Sequence, residues 1–145
     1  MENWTIRPFN MKDYPSVLRV WGQANLPHKP RGRDNPEMIQ RELKLGTALF
    51  YVAESNGTIV GTALGTHDGR KGWINRLAVI PEFRRIGIAT ALIETIEKKL
   101  STMGIMIIAT LIEKGNTHSE EVAKSLGFEL AENIQYFSKR EHHDV

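Results

Sequence analysis

Residues Ile74 to Thr90 read INRLAVIPEFRRIGIAT, and they join an apolar strand to a helix through a basic loop with one glycine. The first amides of a helix have no partner inside the helix, and together with the helix dipole they favour a bound phosphate. Gly87 and Ala89 are small, so a ligand can approach the backbone closely. Arg84 and Arg85 can add charge-assisted hydrogen bonds to phosphate. The segment predicts an anion site, although a strand, a glycine turn and a helix also occur in many folds without one.

Two other phosphate-binding motifs are excluded. A Walker P-loop needs Gly-Lys followed by Ser or Thr, and the chain contains no such run. A dinucleotide fingerprint needs three spaced glycines, whereas this loop has only Gly87. The predicted anion site is therefore of neither kind.

Periodicity predicts the elements on both sides of this segment. Asn56-Gly57 indicates a hairpin turn, because both central positions of a type I′ turn need positive φ. Asp13 is expected to cap a first helix, and Asn35 followed by Pro36 a second. The remaining pattern predicts strands at Trp4–Phe9, Leu49–Glu54, Thr58–Thr66, Trp73–Val79, Ile105–Leu111, Phe128–Leu130 and Gln135–Lys139, and helices at Ile88–Met103 and Thr117–Leu126.

This order predicts a mixed α/β fold. A central, mostly antiparallel twisted sheet of about seven strands would be flanked by four helices. The unit from Trp73 to Leu111 is strand, helix, strand, and a right-handed crossover makes its two strands parallel. Neither a repeat nor a linker interrupts the chain, so residues 1–145 are expected to form one domain, with a loose tail at 141–145.

Composition limits the class of protein. The chain has 145 residues, of which 41% are apolar and 25% charged, as in ordinary globular domains. The absence of cysteine excludes disulfides, a thiol nucleophile and cysteine-ligated zinc. His118, His142 and His143 do not form a metal-ligand pattern, so no metal is expected.

Charge and hydropathy predict where the protein works. The net charge is +2 and the pI about 9.0, a weak excess that does not require a nucleic-acid partner. Glu2, Arg7 and Lys12 fall where a signal peptide would need an apolar core. The apolar run Ile105–Leu111 is too short to cross a bilayer. A cytoplasmic protein without membrane or nucleic-acid contacts is therefore expected.

Three segments resemble the GNAT acetyltransferase superfamily. Arg84-Arg85-Ile86-Gly87-Ile88-Ala89 matches its Gln/Arg-x-x-Gly-x-Gly/Ala signature, and Leu77-Ala78-Val79 occupies the family's preceding strand. Asn116 followed by Leu126-Gly127-Phe128 is similar to a later segment of the family. Together with the element order, the likeness covers nearly the whole chain. It is nearest to small YpeA-like or RimI-like members, and Asn35-Pro36-Glu37-Met38 and Asp68-Gly69-Arg70 point to the YpeA-like kind.

The resemblance implies that acetyl-CoA, as acyl-donor substrate, lies in a V between the two parallel strands. Backbone groups of the first strand would hold the pantetheine and acetyl part, and amides of the loop and helix would bind the pyrophosphate. A bulge in the strand Trp73–Val79 would free an amide to polarise the thioester carbonyl. The implied cofactor-binding residues are Leu77, Ala78, Val79, Arg84, Arg85, Ile86, Gly87, Ile88, Ala89, Thr90 and Asn116.

The family's acid and base positions are occupied by residues that do not titrate usefully. Relatives place a base at positions matching Trp73 and Asn75 or a glutamate at the position of Leu111, and a general-acid tyrosine matches Ala123. A thiol with a pKa of about 8.5 can leave without a strong acid, so the base is the larger gap. Asn75 is a candidate for positioning a water that relays the proton. The other titratable candidates, each open to an interpretation as a turn, surface or packing residue, are His67, Asp68, Glu113 and Tyr136.

Two functions remain open at this stage. The first is an N-acetyltransferase that acts on a primary amine of a small molecule or protein, as a monomer or homodimer. The second is a GNAT fold that binds acetyl-CoA or CoA without catalysis. The loop before the second helix forms a basic rim that would favour an acceptor with carboxylate or phosphate groups, or it is simply a solvated loop. It contains His28, Lys29, Arg31, Arg33 and Asp34.

Overall fold

The computed structural model describes residues 3–145. Glu2, one of the charged residues that spoke against a signal peptide, lies outside them. Within these residues, every helix is too short or too polar to span a bilayer. The strands are β1 Thr5–Pro8, β2 Ala48–Ser55, β3 Thr58–His67, β4 Gly72–Val79 and β5 Ile108–Thr110; the helices are α1 Tyr14–Gln23, α2 Pro36–Leu45, α3 Ile88–Thr102 and α4 Thr117–Ser125.

The strands form one sheet in the order β1-β2-β3-β4-β5. Neighbours are antiparallel except β4 and β5, which are parallel and flank α3 in the chain. The hairpin between β2 and β3 turns at Asn56 and Gly57, whose φ angles are 49° and 77°. These features confirm the predicted mixed fold, the hairpin and the parallel pair.

A side-chain cap marks the start of α2 but not that of α1. The Asn35 side chain accepts a hydrogen bond from the Met38 amide at 2.9 Å, as expected for the cap of α2. Asp13 stands at the cap position of α1, but its side chain does not cap that helix. Its carboxylate accepts instead from the Asn10 amide at 2.9 Å and from Arg7. The prediction for Asp13 was thus right in position and wrong in role.

Two glycines let α3 lie directly on the sheet. A Cβ at Gly65 would be 2.5 Å from Ile96 Cγ2, and one at Gly72 would be 2.7 Å from Leu100 Cδ1. Ile96 and Leu100 are fully buried in this contact. The close approach fixes α3 beneath β3 and β4, and so it fixes where the helix begins relative to the end of β4.

The prediction of about seven strands is wrong, because the described residues contain five. The segments Phe128–Leu130 and Gln135–Lys139 are not strands, since neither pairs with a neighbour. The expected buried strand Ile105–Leu111 shortens to β5, which has β4 on one side only. Met106 is consequently 96% exposed and Leu111 52% exposed.

The last residues contact the loop between α1 and α2. The Lys29 ammonium donates to the His143 carbonyl at 3.1 Å, and Arg31 lies 3.5 Å from the Asp144 carboxylate. Gly32 has no room for a side chain, because a Cβ there would be 2.3 Å from the Asp144 carbonyl oxygen. That residues 141–145 move freely stays a prediction.

Candidate active site

An open cleft lies where β4 and β5 separate. The two strands pair from Gly72–Ile108 to Ile74–Thr110, and the Thr110 hydroxyl donates to the Ile74 carbonyl at 2.9 Å. Beyond this pair no strand pairing joins them, and a cleft of about 740 Å³ lies between residues 75–79 and residues 111–116. Backbone groups that a continuous sheet would pair therefore face a cavity.

A bulge distorts β4 in the wall of this cleft. Thr62 of β3 pairs with Ala78, and Leu64 of β3 pairs with Asn75. Arg76 and Leu77 of β4 therefore both lie opposite a single residue of β3, Ala63. Arg76 has a φ of 52°, in the left-handed region that non-glycine residues seldom adopt. The expected bulge is thus present, whereas polarisation of a carbonyl by its amide stays a prediction.

The start of α3 offers unpaired amides close to the end of β4. Gly87 occupies the cap position with a φ of 95° and has no side chain to cap the helix. Its carbonyl accepts from the Ala91 amide at 3.0 Å, the first bond of the helix. The amides of Ile88, Ala89 and Thr90 therefore have no acceptor within the helix.

Basic side chains surround this end of the cleft. Arg84 lines the cleft, and its Nε donates to the Val79 carbonyl at 2.9 Å, which anchors the side chain to the end of β4. His118 of α4 also lines the cleft. Burial lowers the pKa of His118, and Arg84 and Arg85 lower it further against the opposite effect of Glu121. These effects favour the neutral imidazole, so the arginines provide the positive charge here.

The structure brings only part of the predicted coenzyme site into the cleft wall. Asn116 lines it, and its side-chain oxygen also accepts from the Ser119 amide at 3.2 Å, which caps α4. Outside the wall, in the loop and first turn of α3, are Arg85, Ile86, Gly87, Ile88, Ala89 and Thr90. The predicted coenzyme residues that do line it are Leu77, Ala78, Val79, Arg84 and Asn116. Asn75, the candidate for positioning a water, lines it as well.

A model of the acetyltransferase (GNAT) family matches residues 10–128, which is most of the chain. The chain belongs to the GNAT acetyltransferase family. The match contains the bulged strand, the basic loop, α3 and the cap of α4. It therefore covers the whole cleft wall formed by β4 and β5.

Solved structures share the fold of this GNAT protein. A predicted acetyltransferase from Clostridium acetobutylicum, crystallised with acetyl-CoA, has a TM-score of 0.78 and 22% identity over 97% of this chain and 99% of its own. The aminoglycoside N-acetyltransferase AAC(6')-Iy, in complex with the bisubstrate analog CoA-S-monomethyl-acetylneamine, gives 0.77 and 22% over 95% and 99%. A ribosomal-protein-alanine N-acetyltransferase from Brucella melitensis gives 0.71 and 16% over 95% and 99%. At such identities the likeness shows the fold.

Three catalytic candidates of this GNAT protein lie in the cleft, namely Asn75, Glu113 and Tyr136. His67 and Asp68 instead hold the turn between β3 and β4. The His67 ring bonds the Gly46 carbonyl and the Gly69 amide, each at 3.1 Å. The amides of Arg70 and Lys71 donate to the Asp68 carboxylate at 2.8 Å and lower its pKa, which makes it a poor base.

The family's other acid and base positions give no titratable group in the described cleft. Leu111 and Ala123 line it, as the sequence implied. Trp73 is outside it, and the Lys71 ammonium lies 4.4 Å from its ring centroid. Within residues 3–145, histidine, aspartate and glutamate side chains do not cluster in threes that could hold a metal ion.

Sequence reasoning missed an ion pair beside the bulge. Arg76 Nη2 donates to Asp34 Oδ2 at 2.8 Å and Arg76 Nε to Asp34 Oδ1 at 3.2 Å, and the side chains are 14% and 6% exposed. Asp34 had been grouped with the polar loop, whereas the structure buries it. The residues are 42 positions apart, and the one signal in the sequence was a charged residue inside a mostly apolar strand.

Proposed function

We propose that this protein is an N-acetyltransferase that transfers acetyl from acetyl-CoA directly to a primary amine. The observation that carries the proposal is the separation of β4 and β5 around a bulge at Arg76 and Leu77, followed by the uncapped start of α3. Membership of the GNAT family and the shared fold of a structure crystallised with acetyl-CoA support it.

In the proposed complex, the pantetheine arm runs along the backbone of Leu77 to Val79, beside Asn116. The pyrophosphate lies at the amides of Arg85 to Thr90, where Arg84 adds charge. Backbone donors aimed at the thioester carbonyl would stabilise the negative charge that develops on its oxygen. This arrangement holds the donor substrate while leaving the acetyl carbon open to the acceptor side of the cleft.

The reaction balances without an acyl-enzyme. The amine nitrogen attacks the acetyl carbon, the C–S bond of the resulting tetrahedral adduct breaks, and the CoA thiolate leaves. One amine proton passes to solvent. Asn75 lines the cleft and is proposed to position the water that carries this proton, since a carboxamide can hold a water but cannot itself act as the base.

An inactive acetyl-CoA or CoA sensor is the second candidate function. Trp73, Asn75, Leu111 and Ala123 favour it, because the family resemblance implies acid or base groups at these positions and this chain has none there. The two candidates share the binding site and differ only in turnover. Release of free CoA thiol in the presence of amines therefore separates them.

The acceptor class is left broad in this proposal. Solved relatives include an aminoglycoside N-acetyltransferase and a ribosomal-protein-alanine N-acetyltransferase, so both small molecules and proteins are represented. Arg33 and Arg140 line the cleft of this chain and favour an amine that also carries an anionic group. We further propose a YpeA-like or RimI-like cytoplasmic enzyme that works as a monomer or homodimer.

Thermal unfolding with acetyl-CoA tests the proposal, with ATP and NAD as controls. A ligand at about 100 times its dissociation constant adds roughly 2.7 kcal/mol to the free energy of unfolding, so the midpoint should rise with acetyl-CoA only. Gly87→Glu should abolish the rise, because it places a carboxylate beside the amides proposed to bind pyrophosphate.

Gly69→Glu is the matched control for this variant. Gly69 and Gly87 have φ angles of 89° and 95°, so both variants carry a similar backbone penalty. Gly69 lies in the turn between β3 and β4, away from the start of α3. Gly69→Glu should therefore keep the rise in unfolding midpoint with acetyl-CoA. If the unfolding midpoint of the wild type does not rise at millimolar acetyl-CoA, both the enzyme proposal and the sensor proposal are wrong.

A further inference from the structure

The buried ion pair joins the loop between α1 and α2 to the bulge of β4. Asp34 is held firmly on the loop side, because the Lys29 amide donates to its carboxylate at 2.7 Å and the Tyr14 hydroxyl donates to its backbone carbonyl at 2.8 Å. The carboxylate then receives two hydrogen bonds from Arg76. The loop and the bulge are thus fixed to each other by a charged contact that water scarcely reaches.

A second buried connection reaches the same bulge from the core. The Thr62 hydroxyl donates to the Arg76 carbonyl at 2.9 Å, and its oxygen accepts from Trp21 Nε1 at 3.0 Å. Thr62 and Trp21 are fully buried. Arg76 is therefore held through its carbonyl by β3 and through its guanidinium by the loop.

Such restraint is needed because Arg76 is strained. A left-handed conformation is unfavourable for a non-glycine residue, and it persists only where the surroundings enforce it. Released from Asp34 and Thr62, Arg76 can return to an extended conformation with negative φ. The bulge would then relax, and the direction of the neighbouring amides would change.

We propose that Asp34 and Thr62 are positioning residues, which hold Arg76 in the bulge so that the backbone of Arg76 and Leu77 stays aimed at the acetyl carbonyl of bound acetyl-CoA. The inference rests on the proposed function. The inference distinguishes the affinity for acetyl-CoA from the polarisation of its acetyl carbonyl, because the proposed pyrophosphate contacts at the start of α3 do not involve the ion pair. Loss of Asp34 or Thr62 therefore leaves acetyl-CoA bound but its carbonyl less polarised.

Isotope-edited infrared spectroscopy of acetyl-CoA labelled with ¹³C at the acetyl carbonyl tests this without an acceptor. Hydrogen bonding to the carbonyl lowers its stretching frequency, so the bound band should lie below the free one in the wild type. Asp34→Asn and Thr62→Val should lose most of this downshift. Their dissociation constants for acetyl-CoA should stay within about threefold of the wild-type value.

Two further variants distinguish positioning from a general loss of structure. Thr62→Ser restores the hydroxyl and should restore the band shift. Asp13→Asn removes the same charge from another two-bond ion pair, that of Asp13 with Arg7 at 2.8 and 2.9 Å, which lies at β1 and away from the cleft. It should keep the full shift. Circular dichroism without ligand checks that each protein is folded, and the Thr62 series carries the test alone if Asp34→Asn does not fold.

The outcomes separate the inference from the function beneath it. Normal band shifts in Asp34→Asn and Thr62→Val overturn the inference, as does an equal loss in Asp13→Asn. A wild type that binds acetyl-CoA with no downshift also overturns it, while binding itself survives. A wild type that binds no acetyl-CoA instead overturns the proposed function.

Discussion

Arg7 and Arg76 each bind an aspartate through two nitrogens. Arg76 lines the cleft, whereas Arg7 joins β1 to the turn before α1 and also lies 3.3 Å from the Glu54 carboxylate. The Arg7 hydrogen bonds lower the pKa of Asp13, and the bond from the Asn10 amide lowers it further. Asp13 is in turn the main cause of the raised pKa of Arg7. The ion pair of Arg7 and Asp13 thus stabilises the folded protein, and its contribution depends on pH in the acid range.

A pH-dependent loss of stability follows for Asp13. The folded pKa lies below the unfolded value of about 3.9, so the ion pair stabilises the protein above that pH and is lost as the pH falls through the folded pKa. Asp13→Asn should cost about 1–2 kcal/mol at neutral pH, because solvent screens the partly exposed Arg7. Urea unfolding at about pH 7 and pH 2.5 measures it, and a penalty that persists undiminished in acid contradicts the assignment.

Asp144→Asn is the control for this prediction. Asp144 lies 3.5 Å from Arg31, whose side chain is 83% exposed, so this ion pair should contribute little. Its substitution should leave the unfolding free energy nearly unchanged at both pH values. A penalty as large as that of Asp13→Asn would show that net charge, rather than the buried geometry, sets the effect.

Sequence reasoning at the residue scale succeeded for the cap of α2 but not for Asp13, whose carboxylate binds Arg7 and the Asn10 amide instead of capping α1. Asn35 caps α2 through the amide of Met38, three residues later, and such spacing can be read from the sequence. The contact between Asp34 and Arg76 spans 42 positions and depends on the fold that brings the loop over β4. The contact could therefore not be predicted from the sequence alone.

At the scale of elements, the contact of α3 with β3 is tight at one position. A Cβ on Gly65 would meet the branched Cγ2 of Ile96 at 2.5 Å, and a buried branched side chain cannot move aside without loss. Gly65→Ala should therefore destabilise the protein by about 1–3 kcal/mol. Chemical denaturation measures this as a lower midpoint with an unchanged slope.

Gly22→Ala provides the matching control in α1. A Cβ on Gly22 meets nothing within 4 Å, and alanine favours a helix over glycine by about 1 kcal/mol. The two alanine variants should thus change stability in opposite directions. If Gly65→Ala proves neutral or stabilising, α3 is not seated on β3 as closely as the geometry indicates.

Helices and the hairpin were predictable as elements, and the last strands were not. α3 carries its own signal, because its buried residues recur at helical spacing, and the turn at Asn56 and Gly57 is a local preference. A strand needs a neighbouring edge to satisfy its hydrogen bonds. Phe128–Leu130 and Gln135–Lys139 have the composition of strands, but β5 extends no ladder to them.

For the molecule as a whole, positive charge collects at the cleft. Its lining includes one carboxylate, Glu113, against the cationic side chains of Arg33, Arg76, Arg84, Lys114 and Arg140, of which Arg76 is paired with Asp34. The net charge of +2 gave no hint of this concentration, because acidic residues elsewhere offset it. The family resemblance predicted where the coenzyme binds, and the sequence predicted a basic loop that contains Arg33, but only the folded chain brings Arg33, Arg84 and Arg140 to one cleft.

Acetyl-CoA binding should therefore weaken with ionic strength. The screening length falls from about 10 Å at 0.1 M salt to about 3 Å at 1 M, which reduces the attraction between the polyanionic coenzyme and the cleft. Titration calorimetry across this range should show a rising dissociation constant. Arg84→Gln should flatten the salt dependence more than Arg41→Gln, whose arginine is exposed on α2 outside the cleft. Affinity that does not change with salt would show that apolar and backbone contacts alone hold the ligand.

The buried ion pair of Asp34 and Arg76 also has a consequence for inheritance. A lone substitution at Asp34 or Arg76 leaves a buried charge without its partner, which typically costs about 3–5 kcal/mol. A lineage can therefore leave this arrangement only through paired changes, for example a glycine at position 76, which adopts positive φ without strain, together with an uncharged residue at position 34. The two positions should change together among descendants of this chain, while the exposed loop residues Pro27, Pro30 and Arg31 diverge one at a time.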